Sequence, residues 1–305
     1  MASAREIRRR IKSIRNIAQV TRALQAVSAS KSRRAQEAVM ATRAYAQAAW
    51  KVLRDLSGQV GAPSELHPLF AQRPVKTLGL VLISGDRGLC GAFNYNLVRA
   101  ALDFMKKQAL PVKVITVGKK GRELMWRRGF KIVGEYSGLP AAPSVTNVRA
   151  IARAAIDGYT NGEFDTVYLV YADFINTLVQ RPAVKRLLPL KTTDVESQAM
   201  SAHAVVAHTE QGATDYIYEP SPRAILDVIV PRFTELQIYQ AVLESLASEH
   251  SARMVAMRNA TESATDLVGA LTLRYNKARQ QGITSELLDI AGGAEALAQA
   301  MAAAR

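Results

Sequence analysis

The chain has 305 residues, of which 49% are hydrophobic and 6% aromatic, and its formal net charge is +14. This length can bury the core of one or two domains, and the positive charge predicts an acidic partner. No run of about 18 apolar residues is present, which argues against a transmembrane segment. The single cysteine excludes an internal disulfide and a multi-cysteine metal site, and it fits a reducing compartment.

The N-terminal part of the chain has the pattern of one long helix. An uncharged stripe with alternating steps of four and three residues runs from Ile7 to Val60. No proline or glycine interrupts it before Gly58, which predicts a continuous helix of about 54 residues, or ~80 Å. The middle of the stripe is small or polar, consisting of Ala18, Thr21, Gln25, Ser28, Ser32 and Ala35. Such residues bring two helices close together, so we expect a thin coiled coil that a partner encloses.

Positive charge is concentrated on this helix. Residues 5–34 contain ten Lys or Arg and one acid, Glu6. We interpret this face as a contact for acidic loops, with a merely solvated face as the alternative. Nucleic acid is not favoured, because no aromatic residue that can stack on bases precedes Tyr45. The basic residues also interrupt any signal-peptide core. An Arg-rich start can resemble a transit peptide, but the helical pattern continues unbroken for dozens of residues, so we interpret the start as mature structure.

Between about Thr77 and Leu190 the pattern changes to alternating strands and helices. Strands are predicted at residues 77–84, 112–117, 130–136 and 164–174, and helices at 93–108, 119–128 and 145–160. This alternation predicts a Rossmann-like α/β domain with a largely parallel sheet. Residues 183–190 are predicted to add an edge strand, and residues 192–214 to form a loop.

The segment Ser84–Asn94, with the sequence SGDRGLCGAFN, occupies the usual position of a phosphate-binding turn. Its glycine spacing matches neither common nucleotide motif, and Asp86 would repel phosphate. Cys90 has no histidine near it in sequence, so we predict a buried thiol. We therefore predict no catalytic residue, no metal ligand and no cofactor.

The C-terminal part of the chain is predicted to form a second long helix. Its uncharged stripe runs from Phe233 to Ala278 and then shifts after Gly282. Ser221 is the predicted N-cap, and Pro231 is predicted to kink or restart the helix. Because one helix leaves the central domain and the other returns, we predict an antiparallel coiled coil. The predicted ranges are 1–62 and 221–305 for the coiled-coil helices and 75–215 for the central domain.

Three stretches resemble the γ subunits of F-type ATP synthases of the bacterial kind. They are RRRIKSIRNIAQVTRALQAVSASKSRRAQ (8–36), the loop SGDRGLCGAFN, and the motifs between Tyr216 and Leu297 that include YIYEP and KARQQGITSELL. The resemblance covers nearly the whole chain. It implies a non-catalytic central rotor shaft that transmits torque between a proton-driven membrane ring and catalytic β subunits, and so couples ion flow to ATP synthesis or hydrolysis.

The resemblance also implies partners and contact residues. The partners are the α and β subunits of the catalytic hexamer, the ε subunit and the membrane ring of c subunits, at the cytoplasmic face of the bacterial membrane. Residues that match the family's Tyr-Glu motif, Tyr218 and Glu219, are expected to contact the rotor ring and ε. Residues that match its β-subunit contacts are Arg22, Leu24, Arg279, Gln280, Thr284 and Glu286.

The sequence departs from the family pattern at one place. Many members have V-A-A-S-K-M where this chain has VSASKS at residues 27–32, which makes the rod thinner and more polar. The single cysteine excludes the dithiol control of the chloroplast branch. Two other classes remain as alternatives: a nucleotide-binding enzyme with a helical dimerisation stalk, and a basic coiled-coil adaptor with a small α/β domain.

Overall fold

The computed structural model describes residues 4–59, 67–190 and 221–303. Its helices are α1 (Ala4–Gln59), α2 (Phe93–Gln108), α3 (Lys119–Trp126), α4 (Val145–Thr160) and α5 (Pro222–Ala303), with a short 3₁₀ turn at Pro68–Phe70. The strands are β1 (Leu78–Ile83), β2 (Val112–Val117), β3 (Lys131–Tyr136), β4 (Thr166–Phe174) and β5 (Gln180–Leu188).

The chain divides into two compact units, and both long helices contribute to each. One unit is formed by the residues up to Ala26 and those from Met257 onward, and the other by Val27–Ala256. The predicted division into ranges 1–62, 75–215 and 221–305 stays a prediction, because residues 62 and 215 lie outside the described ranges. No described helix has a stretch long and apolar enough to cross a membrane.

The five-stranded sheet of the second unit has the order β3-β2-β1-β4-β5. The first four strands are parallel, and β5 runs antiparallel to β4 at the edge. The mixed sheet confirms the predicted α/β class, and each predicted strand and helix lies within three residues of its observed bounds. The predicted loop 192–214 lies outside the described residues.

Each face of this sheet has its own apolar core. Alternate side chains of a strand point to opposite faces. Leu80 and Leu82 of β1 therefore pack with α2 and α3, while Val81 and Ile83 pack with α4 and the first turns of α5. The first part of α5 thus belongs to the core of the α/β domain, as well as to a coiled coil.

The start of α5 agrees with its predicted N-cap. The Ala224 amide donates to the hydroxyl of Ser221 at 3.3 Å, with Pro222 as the first helical residue. The helix then runs without interruption through Pro231 to Ala303. The predicted restart at Pro231 is therefore wrong, and the packing of α5 on the sheet outweighs the loss of one backbone donor.

The two long helices pair along the predicted stripes. Every stripe residue of α1 from Ile7 to Thr42 is buried or half-buried. In the first unit the hydroxyls of Thr21 and Thr261 lie 2.6 Å apart. In the second, the hydroxyls of Ser32 and Ser251 lie 2.7 Å apart. The residue numbers rise along α1 and fall along α5, as expected for an antiparallel coiled coil with a small, polar seam.

Candidate functional site

The carboxyl edge of the sheet is covered by α5. The Ser245 hydroxyl donates to the carbonyl of Ile83 at the end of β1, at 3.4 Å. One turn later, the Ser248 hydroxyl donates to the carbonyl of Ala172 in β4, at 3.2 Å. The gap between β1 and β4 is the point where the strand order reverses, which is where doubly wound α/β proteins bind nucleotides. Here a helix occupies that place.

The polar groups of loop 84–94 are used to hold neighbouring loops. The Asp86 carboxylate accepts the amides of Lys119, at 3.0 Å, and Gly138, at 2.8 Å. The Ser84 hydroxyl accepts the amide of Gly121 at 2.9 Å. Asp86 therefore sits at the start of α3, where a carboxylate stabilises the helix dipole, and the loop fastens the carboxyl ends of β1, β2 and β3 together.

Arg253 of α5 joins the same loop from the other side. Its Nε and Nη2 atoms both lie 3.3 Å from the Gly88 carbonyl oxygen. Nη2 also forms an ion pair with Glu249 one turn earlier, and both side chains are about nine-tenths buried. We name Glu249, Arg253 and the loop 84–94 the loop clamp. It attaches the long helix to the sheet through charged groups that are largely removed from water.

Gly85 lets the loop approach the Glu249 carboxylate closely. A Cβ atom added there would lie 2.7 Å from the carboxylate carbon of Glu249. The Gly85 amide also donates to the side-chain oxygen of the buried Asn94, at 2.9 Å. Gly85 of this loop thus serves the close approach of α5, as opposed to the cradling of a phosphate.

The ionisable groups around the clamp respond to burial. Burial raises the pKa of Glu249, although Arg253 and Lys31 oppose the shift. Burial and the charges of Arg253 and Lys31 lower the pKa of His250 to about 4, so this imidazole is neutral near pH 7. Its Nδ1 atom lies 3.2 Å from Nη1 of Arg253, which fits an acceptor nitrogen.

Cys90 is a buried thiol, as predicted. It is 2% exposed, and burial followed by the charge of Glu249 raises its pKa. A thiol with these surroundings is a poor nucleophile. No group of three or more potential metal ligands occurs among the residues that the structure describes.

The predicted β-subunit contacts lie at two separate levels of the first unit. Arg22 is exposed and Leu24 half-buried, and both follow Thr21, whose partner is Thr261. Arg279 lies 18 residues beyond Thr261, or about 27 Å along the helix. The structure therefore does not bring the α1 contacts and the α5 contacts into one cluster.

The α5 contacts share one fully exposed stretch of helix. The side chains of Arg279, Gln280, Thr284 and Glu286 are all exposed. The Thr284 hydroxyl donates to the Gln280 carbonyl at 2.9 Å, so it is satisfied within its own helix. The predicted contacts Tyr218 and Glu219 lie outside the described residues.

Sequence reasoning missed the polar groups that α5 buries against the sheet. Gln237, Glu244 and Glu249 are all less than 8% exposed. Burial raises the pKa of Tyr171, and the charge of Glu244 raises it further. Burial lowers the pKa of the part-buried Lys185, and the charge of Glu244 opposes that shift. These residues lie off the uncharged stripe, and nothing in the helical period distinguishes them from solvent-facing residues.

Comparison with known proteins decides the family. Residues 3–297 match the ATP synthase family. The ATP synthase gamma chain of Herpetosiphon aurantiacus is 50% identical over 98% of this chain and 100% of its own length. That of Pelotomaculum thermopropionicum is 44% identical over 97% of this chain and 100% of its own length. This chain belongs to the ATP synthase gamma-chain family.

Solved structures agree with the gamma-chain family at the level of fold. A chain from the OSCP/F1/c-ring structure of Euglena gracilis mitochondrial ATP synthase is 22% identical, with a TM-score of 0.63, and the match covers 96% of this chain and 94% of that one. A chain from the central stalk and c-ring of Tetrahymena thermophila mitochondrial ATP synthase is 24% identical, with a TM-score of 0.59, covering 79% of this chain and 99% of its own.

Proposed function

We propose that this chain is the central rotor shaft of an F-type ATP synthase, transmitting torque between a membrane ring of c subunits and the catalytic β subunits. The observation that carries the proposal is the end of α5, where every described side chain from Arg279 to Met301 is exposed. Six of them are large and apolar, and are 51–70% exposed: Ile283, Leu287, Leu288, Ile290, Leu297 and Met301. A helix with this much apolar surface needs a partner around it.

A sleeve formed by alternating α and β subunits suits such a helix. Its apolar residues require an apolar lining, and the basic side chains of α1 require acidic loops. The residues proposed to meet β are Arg22, Leu24, Arg279, Gln280, Thr284 and Glu286. The two levels of these contacts, about 27 Å apart along the helix, would let one shaft act on β at two heights.

The chain itself is proposed to be non-catalytic, with nucleotide chemistry on β. This is supported by α5, whose Ser245 and Ser248 occupy the place where an α/β domain would bind a nucleotide. The central domain, range 75–215, is proposed to contact ε and the c ring, together with Tyr218 and Glu219, which follow it in the sequence. The complex would then lie at the cytoplasmic face of the membrane, with this chain as a peripheral subunit.

Reconstitution tests the proposal. The purified chain should hydrolyse no ATP alone, and should form active particles when mixed with α and β subunits in a 3:3:1 ratio. A filament attached to the central domain should then rotate during ATP hydrolysis. Particles that assemble and hydrolyse ATP while the filament stays still would contradict a rotor role.

A further inference from the structure

The amino edge of the sheet, opposite the edge that α5 covers, is strongly basic. In a parallel sheet each connecting helix ends where the next strand begins. The last turn of α2 carries Lys106 and Lys107, Arg127 and Arg128 follow α3, and Lys131 opens β3. All five are exposed, and α2 and α3 cover the same face of the sheet. We name these five residues the basic edge.

Acidic residues nearby do not balance this charge. The segment 104–131 contains all five cations of the basic edge and one acid, Glu123. Glu123 already pairs with Lys120, at 3.1 Å, and with Arg127, at 2.5 Å. Lys113 at the start of β2 pairs with Glu163, at 3.6 Å. Lys106, Lys107, Arg128 and Lys131 therefore leave a net positive surface.

Helix capping explains only part of the basic edge. The Arg128 guanidinium donates to the Leu124 carbonyl at 2.9 Å, and cations stabilise the negative end of a helix. That role suits the cations of the last turns. It does not explain Lys131, which begins a strand, nor the aromatic residue that lies among the cations.

That residue is Trp126, the last residue of α3. Its neighbour Met125 is 0% exposed and anchors the helix in the core, whereas Trp126 is 70% exposed. Tryptophan is the residue with the strongest preference for the boundary between water and lipid, where its ring is apolar and its N–H stays hydrated. An exposed tryptophan at the same sheet edge as five cations matches both requirements of an anionic membrane surface.

We propose that the basic edge and Trp126 form a docking surface for anionic lipid headgroups. A protein partner fits less well, because lysine is depleted at protein interfaces and three of the five cations are lysines. A cluster of four or more cations is the pattern of acidic-lipid binding. The inference rests on the proposed function, which brings the central domain next to a membrane ring.

Fluorescence quenching by lipid tests the surface locally. The chain has two tryptophans, so Trp50→Phe leaves Trp126 as the single reporter in the full chain. Vesicles of phosphatidylcholine with about 30% phosphatidylserine and brominated acyl chains should quench Trp126, and phosphatidylcholine vesicles alone should not. Added salt should reverse the quenching, because headgroup attraction is screened.

Charge reversal with a matched control separates this edge from the basic helix α1. The triple change Lys106→Glu, Lys107→Glu, Lys131→Glu should weaken the vesicle affinity measured at Trp126 by at least about tenfold. The triple change Arg5→Glu, Arg8→Glu, Arg9→Glu alters the net charge equally, and should leave quenching at saturating lipid intact. Circular dichroism checks that both variants fold.

Three results would overturn the proposal: no quenching by anionic vesicles, quenching that the edge variant retains, or loss of acrylamide access to Trp126 in the lipid-free assembled complex. The last would show that a protein subunit covers the edge. Assembly with α and β subunits, measured without lipid, reports on the rotor role separately. Either hypothesis can therefore fail alone.

Discussion

The hydroxyl oxygens of Thr21 and Thr261 lie 2.6 Å apart and join α1 to α5 where both residues are buried. Each threonine also lies within hydrogen-bonding distance of a carbonyl of its own helix, that of Ala18 or Met257. One hydroxyl has only one proton, so one threonine donates to its helix and the other donates across the seam. Polar contacts of this kind fix the register of two helices at little cost in volume.

A double-mutant cycle measures this bond. Thr21→Val and Thr261→Val should each destabilise the chain by about 1 kcal/mol, because both keep the side-chain volume and remove one hydroxyl. The double variant should cost less than the sum, with a coupling of roughly 0.5–1.5 kcal/mol in urea unfolding. Strictly additive costs would mean that the two hydroxyls do not interact.

The loop clamp predicts different effects for two neighbouring glycines. Gly85→Ala should destabilise the chain by about 2 kcal/mol, since the new methyl group meets the buried carboxylate of Glu249. Gly88→Ala is the matched control, because a Cβ atom there meets nothing within 4 Å. Thermal unfolding compares the two. Equal costs at both positions would contradict the observed approach of α5 to the loop.

Two leucines of α5 differ in burial, so the same substitution should affect stability differently at each. Leu243 is 2% exposed, and Leu243→Asp should destabilise the chain by about 3–5 kcal/mol because it buries a charge and removes apolar contacts. Leu273 is 74% exposed, so Leu273→Asp should leave the free energy of unfolding nearly unchanged in the isolated chain. An unaffected Leu243→Asp variant would show that this face of α5 is not buried.

His250 predicts a loss of stability in mild acid. Its pKa is about 4 in the folded chain against an ordinary 6.5, so between these values the unfolded state binds the additional proton. The free energy of unfolding should fall as pH drops through this window, by about 2 kcal/mol between pH 6.5 and 5. Glu249 has a raised pKa, so its contribution to stability has the opposite sign. The stabilisation that it gives at low pH is lost as the pH rises above 4.5, the ordinary pKa of a glutamate.

A difference measurement isolates the histidine. The variant His250→Gln removes the imidazole and keeps Glu249. The free energy of unfolding in urea should fall less between pH 7 and pH 5 in this variant than in the unchanged chain, by about 2 kcal/mol. Parallel losses in the two proteins would mean that His250 does not titrate as its burial requires.

Arg279 is the predicted contact with the clearest test. Arg279→Ala should leave the melting temperature of the isolated chain unchanged, because its side chain is exposed. In the assembled complex it should lower coupled ATP synthesis about tenfold or more, through loss of about 1.5–3 kcal/mol of charged hydrogen bonding. Lys277→Ala, an exposed neighbour on the same helix, is the control. Equal synthesis by both variants would count against the assigned contact.

The sequence alone determined the strands, the helices and the faces that pair. The stripe from Ile7 was visible because a helix repeats its buried face every three to four residues, and the stripe proved buried or half-buried up to Thr42. The apolar run of β1 was visible because a strand buried on both faces lacks polar alternation. These are local signals, carried by the order of neighbouring residues.

Only the tertiary structure decided what loop 84–94 does. Gly85 and Asp86 could have belonged to a poor nucleotide turn or to a structural loop, because the same residue types serve both. The difference lies in Glu249 and Arg253, more than 160 positions later in the sequence, which reach the loop when α5 crosses the sheet. Contacts between such distant residues depend on how helix and sheet pack, and no local pattern encodes them.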